Sequence, residues 1–330
     1  MECVPNFSEG RDQEAIEAIA AAMRQVDGAF LLHVDPECDT HRCVMTLMGR
    51  AESLEEALFH GIRVAVASLD LRKHKGSHPR MGVADVVPFV PWIGTDLSEC
   101  VAVAERLSER LGKELGLPGW LYGAAARRPE NRYLHDIRRG QFEGLQRKLE
   151  RKRPDFGPDL AHPSAGAIAV GARPVLVAMN CTLDTDDVRL AKELAARIRE
   201  FQRVRRTADG AVRSRSKVGL PGLRAMGWFS ARDARAQVTM NLTNTRDAPP
   251  HLVFEALDRL CILSGTAIVG TELVGMIPEN LLAQAGVFFD PSASDKVSAG
   301  IQNLRLGVLH EFRANERIVE RVMVRLGLGG

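Results

Sequence analysis

The chain has 330 residues and a formal net charge of +2, with 45% hydrophobic and 26% charged residues. That balance describes a soluble globular protein with room for two domains. It argues against a nucleic-acid or membrane-surface binder that works through overall charge. Six scattered cysteines without a C-x-x-C pair fit reduced thiols in the cytoplasm better than a disulfide framework, and no apolar run reaches membrane-spanning length. The opening residues have neither the basic start nor the apolar middle of a secretion signal.

In chain order, "ECVPNF" reads as a short strand, and "QEAIEAIAAAM" carries apolar residues at helical spacing. "AFLLHV" and "RCVMTLMG" read as strands. "SLEEALFHGIRVAVASL" reads as a helix opened by a capping box of Ser53 and Glu56, and "VADVVPFV" as the next strand. A helix in "LSECVAVAERLSERLGKEL", a strand at "GWLYG" and short helical pieces up to Lys152 follow. The order β-α-β-β-α-β then recurs. "RPVLVAMNC" is a strand and "DDVRLAKELAARIREFQ" a helix, "LRAMGWFS" and "AQVTMNLTN" are strands, "PPHLVFEALDRLCILSG" is a helix, and a strand lies in "TAIVGTELVGMIP". This rhythm predicts an α+β fold of two ferredoxin-like subdomains, each a mixed sheet with helices on one face, and a substrate cleft or tunnel between them. The Pro- and Gly-rich stretch 154–173 places the boundary, giving residues 1–172 and 173–330, the latter with a helical tail.

The chemistry concentrates in "RKHKGSHPRMGVADVVPF", residues 72–89. A histidine held rigid by Pro79, with a pKa near neutrality, suits proton transfer between two nitrogens, which singles out His78. Arg80 and Lys75 are placed to hold carboxylates, Arg80 through a two-point fork. Asp35 ends a strand where a carboxylate can orient a neighbouring histidine, or can simply start a turn before Pro36. Asn6 and Ser8 are candidates for bonding a ligand amide, and Ser8 serves equally well as a helix cap. Cys38, His41 and Cys43 match no strong zinc spacing, so no metal is expected. The basic runs at 126–140, 147–153 and 203–217 read mostly as solvated faces and a mobile loop. With 5% aromatics the chain lacks the stacking platform of an RNA-binding sheet, and small anionic substrates fit its cations better.

The strings "ECVPNFSEGR", "HKGSHPRMGVADVVPFVP", "LYGAAAR", "PDFGP" with "GARPVLVAMN", "GWF", "AQVTMNLTN" and "ELVGMIP" resemble, in this order, the glutamate formiminotransferase family. That family includes the formiminotransferase portion of formiminotransferase-cyclodeaminase and its free-standing form, and the free-standing form is expected because 330 residues leave no room for a cyclodeaminase domain. The resemblance implies transfer of a formimino group from N-formimino-L-glutamate to N5 of tetrahydrofolate, in histidine degradation. Tetrahydrofolate, polyglutamylated forms included, would be a co-substrate, and the protein a cytoplasmic homodimer. It implies that His78 is the acid/base and that Asp35 supports it. The folate-binding stretch would be Asp159, Leu160, Ala161, His162, Pro163, Ser164, Ala165, Gly166, Ala167 and Ile168. His41 stands where the family has Asn. Two alternatives stand beside this one: formyl transfer between 5-formyltetrahydrofolate and glutamate at the same site, and a non-catalytic folate-binding protein, which would keep the 159–168 stretch while losing His78.

Overall fold

The structure is a computed structural model that describes residues 1–206, 212–217 and 219–328, with the backbone alone for those of 201–218. The chain folds as two compact units, Met1–Pro174 and Val175–Gly330. The first unit runs β1 (Glu2–Cys3), β2 (Asn6–Phe7), α1 (Gln13–Arg24), β3 (Ala29–Glu37), β4 (Arg42–Gly49), α2 (Ala51–Ser68), β5 (Ala84–Val90), α3 (Leu97–Glu114), β6 (Gly119–Gly123), α4 (Leu134–Ile137), α5 (Leu145–Arg151) and β7 (Ile168–Ala172). Its sheet runs from β3 through β4 to β1 and β2, then β5, β7 and β6. Pairing is antiparallel as far as β5 and parallel from β5 to β7 to β6, so this sheet is mixed.

Alternation along the strands sorts side chains to two faces. Cys3, Phe7, Cys43, Met45, Leu47, Val87, Phe89 and Val170 face α1, α2 and α3 and form the main core. Val86, Trp120, Tyr122 and Ala169 face the other way and meet Ile137, Leu145 and Leu149 of α4 and α5. The single expected first strand is split in two by Pro5, which has no N–H for a ladder. The expected capping box at Ser53 does not form. Helix α2 begins at Ala51 behind Arg50, two residues before Ser53. The helix cap weighed for Ser8 is supplied instead by Asp12, whose carboxylate accepts from the N–H groups of Glu14 and Ala15.

The second unit runs β8 (Val177–Leu183), α6 (Val188–Ile198), β9 (Phe201–Arg206), β10 (Val212–Lys217), β11 (Leu223–Ser230), β12 (Arg235–Leu242), α7 (Pro250–Leu263), β13 (Ile268–Val274), α8 (Glu279–Phe289), α9 (Lys296–Asn303), α10 (Ala314–Arg317) and α11 (Val319–Arg325). Strands β11, β12, β8 and β13 form its sheet in that order, the ferredoxin-like arrangement. The α+β class therefore holds, but the four strands of this second sheet pair antiparallel rather than mixed, and the segment after β13 adds to it an isolated parallel bridge between Thr271 and Leu306. Strands β9 and β10 pair as a hairpin where a loop was expected, and the middle of the basic run 203–217 lies outside the described residues.

One crossing decides where the histidine loop sits. The backbone after His78 pairs with the segment before β7. Val83 N–H donates to the Ala165 carbonyl and Ala167 N–H to that of Met81, both at 3.0 Å. Such close approach requires glycine on both sides. A Cβ on Gly82 would stand 2.0 Å from the Ala167 oxygen, and one on Gly166, at φ +75°, 2.1 Å from that of Met81. Gly166→Ala is therefore expected to lower stability by about 2–4 kcal/mol through strain and lost pairing. A urea-unfolding midpoint equal to that of the parent chain would contradict it.

Candidate functional site

The site grows from a bulge in β5. Asn6 pairs with Val86 but Phe7 pairs with Ala84, so one extra residue, Asp85, is inserted. A bulge re-aims side chains. Asp85 leaves the apolar alternation of its strand and is fully buried. Its Oδ2 accepts from Arg42 Nη1 at 2.9 Å and from Arg138 Nη2 at 2.6 Å, and its Oδ1 from the Met81 N–H at 2.9 Å. Burial alone would raise the Asp85 pKa. The charges of Arg138 and Arg42 and the Met81 hydrogen bond outweigh it and bring the pKa down to about 2. Arg42, lowered to about 10 by burial and by the Arg138 charge, is still a cation at neutral pH.

His78 lies half-buried against this pair of arginines. Its Nδ1 is 2.7 Å from the Pro79 carbonyl oxygen and 3.0 Å from Arg42 Nη1. Only one of these can be a hydrogen bond, since Nδ1 either donates or accepts. The carbonyl contact is the shorter, and a carbonyl oxygen can only accept, so Nδ1 must carry a hydrogen to make it. The proton is therefore assigned to Nδ1, which leaves the lone pair on Nε2. Burial, then the Arg42 and Arg138 charges, hold the His78 pKa well below 6.5 against the opposing pull of Asp85 and the Pro79 bond. At neutral pH the ring is an uncharged base inside a group of net charge +1.

The other expected residues fall into three groups. Asn6 is in the site, but its Oδ1 accepts from Arg42 Nε at 2.9 Å, so it positions that arginine. Ser8 is buried and donates to the Gly82 carbonyl at 2.8 Å, a strut beneath the histidine loop. Arg80 is buried with its fork on Glu143, and Lys75 is exposed on the loop. Asp35 is opposite Val44 in β3, which places it on the sheet face of Arg42, and it lies 4.0 Å from His33. The carboxylate whose charge bears on His78 is Asp85. Of the segment 159–168, Asp159, Leu160 and Pro163 are exposed, and Ala161, His162 and Ser164 half-buried. Ala165, Gly166, Ala167 and Ile168 are buried and paired through their backbones, as the strap that crosses Met81–Val83. The segment thus reaches the histidine loop, with only its first part open to a ligand.

Sequence reasoning missed Asp85, Arg42 and Arg138. A lone carboxylate within the apolar run "VADVVPFV" was the available signal for the first. Arg138 was grouped with a solvated basic run, whereas its guanidinium is committed to a buried carboxylate. Cys43, imagined as a zinc ligand, is buried in the helix-side core, and His41 bonds Glu9 Oε1 at 2.8 Å. Among the described residues no group of three His, Cys, Asp or Glu is arranged to hold a metal ion, and no helix is long and apolar enough to cross a membrane.

Two measurements test this electrostatic arrangement. Asp85→Asn leaves two buried cations uncompensated and is expected to cost about 3–5 kcal/mol of stability, read as a fall in the urea midpoint. The depressed pKa of His78 has a defined sign. Below 6.5 the unfolded chain takes up a proton that the folded one refuses, so stability falls as pH falls from 7 to 5. Asp85 adds its own loss only lower, between its ordinary value of 3.8 and about 2. His78→Gln should make the stability curve shallower between pH 7 and 5, leaving the smaller slope from His74, His162 and His251, whose pKa values burial also lowers. A slope unchanged in the variant would remove His78 as its source.

Comparison with known proteins gives a consistent picture. Residues 1–173 match the model of the formiminotransferase domain, N-terminal subdomain, and residues 178–324 that of the formiminotransferase domain. The glutamate formimidoyltransferase of Streptococcus pyogenes serotype M1 is 36% identical over 88% of this chain and 92% of its own length. That of Thermoplasma acidophilum is 36% identical over 88% of this chain and 91% of its own length. The formimidoyltransferase-cyclodeaminase of Gallus gallus is 38% identical over 97% of this chain, which spans 59% of that relative.

Proposed function

Because the chain belongs to the formiminotransferase domain family, we propose that it transfers the formimino group of N-formimino-L-glutamate to N5 of tetrahydrofolate, with His78 as the acid/base. The observation that carries this reading is the neutral His78 imidazole, with its Nε2 lone pair available, beside two arginines that share one carboxylate. The names of the Streptococcus pyogenes and Thermoplasma acidophilum relatives support the reaction class. Tetrahydrofolate is then a co-substrate, met by the open part of segment 159–168. The cytoplasmic homodimer belongs to the same reading and rests on the family resemblance.

The chemistry needs one proton moved twice. N5 attacks the amidine carbon, and the tetrahedral adduct carries both nitrogens. His78 takes the proton from N5 and returns it to the glutamate nitrogen, which leaves as an amine. A depressed pKa makes the imidazolium a strong acid, so the second transfer is fast. The excess positive charge of Arg42, Arg138 and Asp85 suits anionic substrates. Their carboxylates offset that charge and raise the His78 pKa when bound. Asp35 acts less directly, from the sheet face that also carries Arg42.

Purified protein is assayed with tetrahydrofolate and either N-formimino-L-glutamate or N-formyl-L-glutamate. His78→Ala should lose about 10²- to 10⁴-fold in turnover while folate binding stays intact, and Asp35→Asn should lose less. Full turnover in His78→Ala would end its assignment as acid/base. Transfer from the formyl donor alone would keep the site and change the substrate. The acid limb of kcat/KM, which reports the free enzyme, should fall well below pH 6.5, with that of kcat at higher pH. Coincident limbs would argue against a charge-compensated histidine.

A further inference from the structure

Arg80 already binds a carboxylate, and it is one of the chain's own. Its Nη1 donates to Glu143 Oε2 at 2.8 Å and its Nη2 to Glu143 Oε1 at 2.6 Å, the two-point geometry of guanidinium–carboxylate recognition. The exposures of the partners are unequal. The Arg80 side chain is 9% exposed and that of Glu143 65%, so the cation is built in while its partner reaches it from outside. Resting on the reading above, we propose that Arg80 is a substrate-carboxylate subsite which Glu143 occupies in the free protein and gives up when a ligand carboxylate arrives.

The surroundings fit an exchange. Arg80 Nε donates to His74 Nδ1 at 3.2 Å, and His74 Nε2 donates in turn to the His41 carbonyl at 2.8 Å. The guanidinium therefore keeps its aim when Glu143 leaves. Gln141 Oε1 is the remaining acceptor, at 3.4 Å from Nη1. The backbone at Glu143 need not move. Phe142 N–H is bonded to the Arg80 carbonyl at 3.0 Å, and the Phe142 ring packs against both cores of this unit. Release is then a rotation of one exposed side chain. The segment that carries Glu143 also carries Arg138, whose guanidinium reaches the Asp85 beside His78. This puts the subsite and the base under one short stretch of chain.

Two ligands bring such a carboxylate: the glutamyl donor and the glutamyl tail of folate. Calorimetry of Glu143→Ala and Glu143→Gln with L-glutamate and with p-aminobenzoyl-L-glutamate separates them. A pair whose carboxylate side is exposed holds the site closed by about 2–5-fold, so affinity should rise by that factor in both variants. The KM of the corresponding co-substrate should fall equally with kcat unchanged, and Arg80→Gln should abolish the gain. A gain for L-glutamate assigns the subsite to the donor, and one for p-aminobenzoyl-L-glutamate alone to the folate tail. Unchanged or weaker affinity for both probes in both variants overturns the proposal. A gain in affinity in a protein that transfers no formimino group would keep the subsite and reject the reaction.

Discussion

Asp85 is fully buried and ionised, which is possible only because two guanidinium groups and a peptide N–H converge on it. An unpaired carboxylate at that depth would take up a proton or unfold the sheet. One carboxylate between two cations leaves a unit of positive charge uncancelled. Burial first, and then that excess, keep the neighbouring imidazole neutral, and both are properties of the protein before any substrate binds. The bulge in β5 makes the arrangement geometrically available, since in a regular strand Asp85 would alternate with Val87 and Phe89 into the helix-side core.

The same constraint explains the tight packing around the loop. His78 can be held against Arg42 only if the backbone from Met81 to Val83 is fixed, and that backbone is fixed by pairing with Ala165–Ala167. Ser8, just after β2, adds a hydroxyl bond to Gly82. Asn6 and Ser8 thus hold parts of the site itself, Asn6 the Arg42 guanidinium and Ser8 the backbone of the histidine loop. The cations that crowd "RKHKGSHPR" divide in the same way, with Arg80 turned inward on a carboxylate and Lys75 left outside.

Element order was legible because helical periodicity and strand runs are local properties. The β-α-β-β-α-β order appears in both units, and His78 stood out by its flanking Pro and cations. Strand direction and bulges are not local. Whether a sheet is mixed depends on which strand is added beside β5, and the antiparallel second sheet carries no residue that announces it. Asp85 was hidden because alternation predicts one face for it and the inserted residue takes another. Arg138 was hidden because charge counted along a run says nothing about which member meets a buried partner. Ser8 illustrates a third limit, since a hydroxyl caps, binds or braces with equal ease until its neighbours are known.

The second unit holds a carboxylate with a different set of partners. Asp233, in the turn between β11 and β12, has a side chain only 7% exposed and accepts from Gln237 Nε2 at 2.7 Å, His310 Nε2 at 2.8 Å and Ser230 Oγ at 3.2 Å. Arg232 stands further off, at 3.8 Å. Asp233 thus has its closest bonds from an amide, an imidazole and a hydroxyl, and it ties a hairpin to the chain near His310. Asp85 has two arginines instead, and its surplus charge falls on a histidine whose second nitrogen still carries a lone pair. The difference between a brace and a base is the sign and size of the charge left over after the carboxylate is satisfied.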